Sequence, residues 1–394
     1  MSLISILYAN TGTSSAVRTE YLSNLLPVGF QESTLTFEAG VPRQNAEQYI
    51  QPFLDGGNCK LIWDRKVALS IPLRLETNTN ISAFSDTGAI LANGSEKPLF
   101  MNKNIVFAGN ENIIDKDIII DGGIWNGNNP NQATKGTAEY GLATIMSFHG
   151  CKNLYVQNCR FYEPRTYCIM SNNMVDSVYQ DIYIDVGTNG SSNKDGVHFD
   201  GWCYNCRVSR MNVKTLDDAI GFNTNDAHTK TFGLPDRTFT AFYDVSMYGP
   251  IKKMIVEDIF FNDSIFGLRI LSSIAEVSDI TIRRFRGKTG QYCILIDNFQ
   301  TNLDWCTPPG KGNFKNITID DIDVVISNRV QWTIPNGAPK SAVINIAANV
   351  SNLTGTNMQP SRNPNIPFIE FRKIAMDNVS YVYNNVVING VNYN

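Results

Sequence analysis

One short pattern of polar and apolar residues recurs seven times along this chain. Each copy has a polar residue, then two apolar residues separated by one position, a polar pair and a second apolar stretch. The copies cover residues 153–161, 176–184, 205–213, 253–261, 279–285, 316–324 and 373–381. Their starts lie about 25 residues apart, or further apart where insertions intervene. Alternating apolar residues indicate β-strands, and a repeat of this length indicates stacked structural units.

The spacing predicts an all-β chain folded as a parallel β-helix. Each coil of such a fold stacks its apolar side chains on the coil below, and equivalent residues lie about 4.8 Å apart. The alternative is a β-sandwich of short strands. Strands of a sandwich recur roughly every 8–12 residues, which is shorter than the interval seen here.

Composition supports a fold built from short strands and turns. Of 394 residues, 44 are Asn and 29 are Gly, whereas only 18% are charged. Asn and Gly are poor residues for helix interiors and good ones for turns. Asn side chains stacked at equivalent turns can hydrogen bond from one coil to the next, which explains why Asn is so frequent.

Charge and hydropathy exclude several classes of protein. The net charge is −4 and there is no run of Lys or Arg, so we expect no nucleic-acid partner. No apolar run approaches the roughly 18 residues of a membrane span, and the N-terminus lacks the basic residues of a secretory signal. The eight Cys are too few for a disulfide scaffold and are read as small buried residues.

The best helix candidate covers residues 45–55, with Asn45 and Gln48 spaced as in a weak capping box. Pro52 and the pair of Gly residues at 56–57 limit its length. We expect this helix to cap the end of the β-structure. The predicted domains are therefore an N-terminal segment with its capping helix, residues 1–58, and a β-helical catalytic domain, residues 59–394.

Three aspartates in one segment carry the main chemical signal. Asp195 and Asp217 are 22 residues apart, about one coil, so the predicted fold places one above the other. Asp218 follows Asp217 and reaches the same site only if the pair lies at a turn or bulge. Three neighbouring carboxylates cannot all ionise easily, so at least one pKa rises and the set supplies an acid and a base. Glycosidic bond cleavage requires that combination. The alternative is that these aspartates are only turn residues.

The motifs around these aspartates resemble those of a known enzyme family. Residues 193–196 (Asn-Lys-Asp-Gly) and 217–222 (Asp-Asp-Ala-Ile-Gly-Phe) resemble the Asn-Thr-Asp-Gly and Gly-Asp-Asp-Cys-Ile-Ala-Ile motifs of the polygalacturonases, glycoside hydrolase family 28. Residues 267–271 (Gly-Leu-Arg-Ile-Leu) resemble its Arg-Ile-Lys motif, and residues 294–298 (Ile-Leu-Ile-Asp-Asn) resemble a later segment. The stretch 195–201 together with the stretch 217–223 is also similar to β-helical tailspike and appendage proteins of bacteriophages.

The resemblance implies a right-handed parallel β-helix of the pectin-lyase type that hydrolyses polysaccharides without a metal or cofactor. It implies that Asp217 is the general acid and that Asp195 and Asp218 position and deprotonate water. It also implies inversion at the sugar carbon. A separation of about 5 Å between carboxyls is instead typical of retention, so the stereochemical outcome stays open.

The same comparison suggests residues that bind substrate, and it shows where the chain departs from the family pattern. Lys194 replaces the Thr of one motif and Leu271 replaces the Lys of another, which makes pectin a doubtful substrate. Six residues are expected to contact the sugar: Arg269, His228, Asn223, Lys194, His198 and Trp202. His198 and the two Cys of the Cys-Tyr-Asn-Cys stretch at 203–206 could in principle bind zinc. The sequence has no second Cys-x-x-Cys pair to complete such a site, so no metal is expected.

These observations predict an endo-glycosidase, a depolymerase of a bacterial surface polysaccharide, carried as a tailspike on a phage tail or acting outside the cell. A homotrimer is expected because closed symmetry covers the exposed edges of a β-helix. Three alternatives stay open. They are a polygalacturonase-like hydrolase of uronic-acid glycans, a polysaccharide lyase, and a β-helix that only binds glycan.

Overall fold

Parallel β-strands account for most of the regular structure. The computed structural model describes residues 17–36, 40–133, 143–188, 193–226, 244–298, 310–329, 341–360, 362–371 and 381–393. Its 26 strands belong to one sheet, and in this part of the chain only the final pair, formed by the last two strands, is antiparallel. The prediction of a mostly β chain with parallel strands is confirmed.

The strands and helices have the following bounds. The first nine strands are β1 (Arg18–Tyr21), β2 (Cys59–Trp63), β3 (Lys66–Leu69), β4 (Leu73–Leu75), β5 (Thr79–Ala83), β6 (Gly88–Leu91), β7 (Phe100–Asn102), β8 (Asp115–Asp121) and β9 (Ile124–Asn126). The next nine are β10 (Met146–Gln157), β11 (Arg160–Tyr162), β12 (Ile169–Val175), β13 (Val178–Asp185), β14 (Val197–Asp200), β15 (Cys203–Tyr204), β16 (Arg207–Lys214), β17 (Asp218–Asn223) and β18 (Ile251–Lys252). The last eight are β19 (Ile255–Leu271), β20 (Val277–Asp297), β21 (Phe314–Ile326), β22 (Ala342–Ala347), β23 (Val350–Met358), β24 (Ile369–Phe371), β25 (Tyr383–Ile388) and β26 (Val391–Asn392). The helices are α1 (Leu22–Leu25) and α2 (Glu47–Leu54), and short 3₁₀ turns cover Asn110–Asn112, Asn129–Asn131 and Val245–Met247.

Six of the seven sequence repeats lie in the described part of the chain, and each lies on the previous one as a layer of the sheet. The seventh, residues 373–381, falls outside the described residues except for its last position. Strand β13 pairs with β10 on one side and with β16 on the other, and β16 pairs in turn with β19. Equivalent positions of successive repeats are therefore hydrogen-bonded neighbours. One inward column along this stack consists of apolar side chains of the repeats: Val156, Tyr179, Val208, Val256, Ile282 and Ile319. All six are fully buried, so the prediction that the apolar residues of the repeats point inward is confirmed.

Asn side chains form hydrogen bonds between successive layers of the sheet, as predicted. A column of turn residues has φ between 52° and 59°, the left-handed region that Asn and Asp tolerate best among residues with a side chain. Its members are Asp117, Asn153, Asp176, Asn205, Lys253, Asp279, Asn316, Asn352 and Asn385. Side-chain amides link the last four members in sequence, with N–O distances of 3.0, 3.0 and 3.1 Å. These bonds hold successive layers in register.

The N-terminal part differs in detail from the prediction. Strand β1 pairs with β2, so the sheet begins before residue 59. Helix α2 is shorter than the predicted 45–55 and buries Ile50 and Leu54 against the core. Its N-cap is Ala46, with no side-chain capping bond, so the predicted capping box is not formed.

The seven Cys in the described ranges are buried and form no disulfide, in line with their interpretation as packing residues. In the described ranges, neither helix has the length and apolar character needed to cross a membrane.

Candidate active site

Asp195, Asp217 and Asp218 meet at the start of two paired strands. Asp195 precedes β14 and Asp218 begins β17, and Val197 pairs with Ile220. This register places Asp195 opposite Asp218, so the repeat is one residue longer than the spacing of Asp195 and Asp217 suggested. One carboxylate oxygen of each residue lies within 4.8 Å of those of the other two. The three residues are only 2%, 7% and 4% exposed, respectively.

A bend before β17 allows two adjacent aspartates to face the same site. Asp217 lies in this bend, outside the alternation of the strand. The Thr215 hydroxyl donates a hydrogen bond to the Asp217 carbonyl at 2.8 Å and fixes the bend. The backbone N–H of Asn193 donates to Asp217 Oδ2 at 2.9 Å. Asp217 and Asp218 can therefore face the same site because the chain turns at Asp217, which is the condition inferred from the sequence.

Burial and mutual repulsion change the acidity of the cluster. Burial, reinforced by the Asp195 carboxylate, raises the pKa of Asp217 from 3.8 to about 7. Burial and the carboxylates of Asp217 and Asp195 also raise the pKa of Asp218. The Tyr292 hydroxyl donates a hydrogen bond to Asp218 Oδ1 at 2.8 Å, and the charge of Arg269 partly offsets both rises. A proton is therefore retained in this cluster near neutral pH.

His198 belongs to the same cluster. Its Nδ1 lies 2.6 Å from Asp195 Oδ2, and its Nε2 lies 3.6 Å from Asp200 Oδ1. Tyr167 stacks on the imidazole with ring centroids 4.3 Å apart. Burial opposes the charged form, but the two carboxylates raise the pKa of His198 to about 10. A regular strand would place residues 195 and 198 on opposite faces, but β14 begins at Val197, so its alternation does not extend to Asp195 and His198 can contact it.

A glycine leaves space beside these side chains. His198, Gly221 and Arg269 occupy equivalent outward positions on successive layers. A Cβ at Gly221 would lie 2.8 Å from His198 Nδ1 and 3.4 Å from Asp195 Oδ2. Any side chain at Gly221 would therefore displace the imidazole from Asp195.

Arg269 extends to the next layer and forms a two-pronged ion pair with Asp297. Its Nε lies 3.2 Å from Asp297 Oδ1 and its Nη2 lies 2.8 Å from Asp297 Oδ2. The two side chains are 12% and 9% exposed, respectively, so solvent screens this pair only weakly. Arg269 lies close enough to the carboxylate cluster for its charge to act on Asp217 and Asp218, and Asp297 neutralises that charge.

The remaining expected sugar contacts lie elsewhere or are engaged with the protein. Lys194 is fully buried, and its Nζ donates to the Val186 carbonyl at 3.1 Å, so the prediction that it contacts substrate is wrong. Asn223 is on β17, but its Oδ1 accepts the backbone N–H of Asn225 at 2.9 Å. Trp202 follows β14 with φ 69°, and its buried indole N–H has no hydrogen-bond partner among the described residues. His228 lies outside the described residues.

Four residues of the site were not assigned from the sequence. Tyr292 binds Asp218, Tyr167 stacks on His198, Asp200 faces that imidazole and Asp297 neutralises Arg269. The repeat could have indicated that Tyr292 lies near the site. Asp218, Phe266 and Tyr292 occupy equivalent positions on three successive layers.

The three aspartates are also the one group of His, Cys, Asp and Glu side chains in the described ranges that lies close enough together to hold a metal ion. Carboxylate oxygens suit hard cations such as Ca²⁺ and Mg²⁺. Hydrogen bonds from Asn193 and Tyr292 already use an oxygen of Asp217 and one of Asp218.

Solved structures of similar fold include enzymes and a phage protein that act on or bind polysaccharides. The exopolygalacturonase of Yersinia enterocolitica matches with 15% identity over 96% of this chain and 80% of its own, at a TM-score of 0.53. The tailspike protein of E. coli bacteriophage HK620, solved with a pentasaccharide, matches with 13% identity over 88% of this chain and 62% of its own, at a TM-score of 0.55. The endo-xylogalacturonan hydrolase of Aspergillus tubingensis matches with 11% identity over 89% and 98% of the two chains, at a TM-score of 0.54. At these identities the likeness shows a shared fold.

Comparison with curated protein sequences gives no match. The model of the family described as glycosyl hydrolases family 28, in contrast, matches residues 103–368, which is more than half of the chain. The matched region contains the three aspartates, His198, Arg269 and Asp297. The resemblance inferred from the motifs is thereby confirmed: the protein is a glycoside hydrolase, and the chain belongs to glycosyl hydrolases family 28.

Proposed function

We propose that the protein hydrolyses a polysaccharide at the cluster of Asp195, Asp217 and Asp218. The observation that carries this proposal is the convergence of three buried carboxylates whose oxygens lie within 4.8 Å, with the pKa of Asp217 raised to about 7. Glycoside hydrolysis needs one carboxyl group that donates a proton and another that activates water or attacks the sugar. This cluster can supply a protonated and an ionised carboxyl group side by side.

Asp217 is the general acid in this scheme. A carboxyl group with a pKa of about 7 keeps a large part of its protons at neutral pH and releases them readily to a departing oxygen. Its proton goes to the glycosidic oxygen as the bond to the sugar carbon breaks. The N–H of Asn193 holds Asp217 Oδ2, which orients the carboxyl group towards the site.

Asp195 is the base that takes a proton from the attacking water. His198 Nδ1, 2.6 Å from Asp195 Oδ2, holds this carboxylate beside the other two. Asp218, held by the Tyr292 hydroxyl, positions the water. The oxygen of water joins the sugar carbon, and the leaving sugar receives the proton of Asp217, so the hydrolysis balances.

The acid role of Asp217 sets the alkaline side of the pH–rate profile. Because the raised pKa is about 7, turnover should fall about tenfold per pH unit well above pH 7 as Asp217 loses its proton. The Asp217→Asn variant cannot titrate there, so its residual turnover should lack this limb. Initial rates measured from pH 5 to 10 test this. A wild-type rate that stays flat between pH 7 and 9 contradicts the assignment.

The architecture we propose is a right-handed parallel β-helix of the pectin-lyase type, with helix α2 capping its N-terminal end. The parallel pairing of successive repeats and the fold likeness to the exopolygalacturonase support the β-helix. The burial of Ile50 and Leu54 against the core supports the cap.

The substrate we propose is a bacterial surface polysaccharide, cleaved within the chain by a homotrimeric tailspike on a phage tail. The fold likeness to a phage tailspike solved with a pentasaccharide supports this, together with the similarity of residues 195–201 and 217–223 to tailspike sequences. Light scattering at micromolar concentration should give three times the 43.9 kDa of one chain. A monomer there favours a solitary secreted hydrolase.

A panel of capsular and O-antigen polysaccharides tests the substrate, with the products read by mass spectrometry. We expect oligosaccharides with ordinary reducing ends from one glycan of the panel, and about 10²–10⁴-fold less product from the Asp217→Asn variant in the same time. Unsaturated sugars among the products would instead identify a lyase. Binding without cleavage would leave the protein a glycan-binding β-helix and overturn the proposal.

A further inference from the structure

The charges beside the carboxylate cluster determine which sugars the site accepts. Arg269 is the guanidinium whose charge acts on both Asp217 and Asp218. Its two hydrogen bonds to Asp297, at 2.8 and 3.2 Å, are charge-assisted, and the pair is largely buried. The net charge that Arg269 presents to a ligand is therefore close to zero.

No other described cation is placed to replace Arg269. The imidazole of His198 lies between Asp195 and Asp200, at 2.6 and 3.6 Å from their oxygens. Lys194 is fully buried and directed to the Val186 carbonyl. Leu271, next to Arg269 on the same face of β19, is apolar and pairs with Asp297 in the register. Each of these basic side chains beside the cluster thus already has an acidic or carbonyl partner in the described part of the chain.

We propose that the Arg269–Asp297 pair makes the cleavage site selective for uncharged sugars, so that the sugar residue lying against Arg269 carries no carboxylate. This inference rests on the proposed function, because it assumes that glycan is cleaved at the three aspartates. Asp297 is the residue that determines specificity, and it acts by neutralising Arg269.

Electrostatics gives the reason. A uronate carboxylate entering this site would lose water and meet three aspartates without an unpaired cation to compensate its charge. It would have to draw Arg269 away from Asp297, which would then be left as a buried, uncompensated charge. A sugar hydroxyl makes no such demand, because neutral hydrogen bonds with the surrounding side chains satisfy it.

The test compares polymers that differ only in charge. The probes are polygalacturonate, the same polymer after chemical reduction of its carboxyl groups, and a set of neutral O-antigen polysaccharides. We expect the wild-type enzyme to cleave neutral polysaccharide, and to have a higher kcat/KM for reduced than for native polygalacturonate if it accepts that linkage. Cleavage confined to glycans that carry uronate overturns the inference and leaves the proposed hydrolysis intact. Failure to cleave any probe, native or reduced, overturns the proposed function and the inference with it.

Two variants test the role of Asp297 itself. Asp297→Asn keeps the shape of the side chain but removes its charge, so it should expose the cation of Arg269. The ratio of affinities for native over reduced tetragalacturonate, measured by calorimetry, should rise about 10- to 100-fold, as expected for a hydrogen bond to a charged group. The double variant Arg269→Gln/Asp297→Asn lacks both charges and should return the ratio to the wild-type value. An unchanged ratio in a folded Asp297→Asn protein overturns the inference, and the wild-type comparison decides it if the variant does not fold.

Discussion

Replacing Asp217 with Asn should lower turnover about 10²–10⁴-fold, because the variant has no proton to give the departing glycosidic oxygen. Asn is nearly the same size as Asp and can still accept the backbone N–H of Asn193, so the bend before β17 should persist. The measurement is the rate of new reducing ends on the polysaccharide identified by the panel. KM should change little, since the lost interaction acts mainly in the transition state.

Asp195→Asn and Asp218→Asn should show losses of similar size, and the losses should not add in the double variants because the three carboxyls act together. The matched control is Asp86→Asn, which changes an exposed carboxylate away from the cluster and should leave the rate unchanged. Full activity of a folded Asp217→Asn protein would place the active site elsewhere on the chain.

The same substitution should make the protein more stable above pH 7. The pKa of Asp217 is about 7 in the folded protein against an ordinary 3.8, so folding is penalised whenever the side chain must be charged. Between these values the unfolded chain has lost the proton and the folded chain keeps it. Wild-type stability should therefore fall as the pH rises from about 4 to 7 and level off above 7. The full shift corresponds to about 4 kcal/mol of unfolding free energy.

Thermal unfolding of the wild type and of Asp217→Asn at pH 4 and pH 8 tests this. The two proteins should unfold at similar temperatures at pH 4, and the variant should unfold at a clearly higher temperature at pH 8. Asp86→Asn controls for the loss of one negative charge and should follow the wild type at both values. A variant less stable than the wild type at pH 8 would show that the charged form of Asp217 supports the fold.

The stacking of the chain could be predicted because each repeat carries its own signal. Alternating apolar residues specify strands, and left-handed turn positions recruit Asn or Asp at equivalent places, as in Asp279, Asn316, Asn352 and Asn385. The register was harder to predict. A repeat only one residue longer than assumed pairs Asp195 with Asp218 instead of Asp217, and a spacing read from sequence cannot detect a one-residue difference.

Contacts between layers explain what the sequence did not reveal about the site. Tyr292 reaches Asp218 from two layers away, and an insertion between β17 and β18 hides their equivalence. Asp297 belongs to a motif that the sequence shows. Its ion pair with Arg269 became apparent only in the structure, because Arg269 extends to the next layer and contacts a residue two positions beyond its strand partner. The contact of His198 with Asp195 depends on where β14 begins, and strand ends are the least predictable feature of a sequence.

The most direct test of the central claim is hydrolysis in water labelled with heavy oxygen, using the polysaccharide that the panel identifies. If the three aspartates split the glycosidic bond with water, mass spectrometry should find one labelled oxygen at each new reducing end. It should find about 10²–10⁴-fold less labelled oligosaccharide with the Asp217→Asn variant in the same time. Products that carry no label, or that are lighter by one water because they contain an unsaturated sugar, would contradict hydrolysis by this cluster.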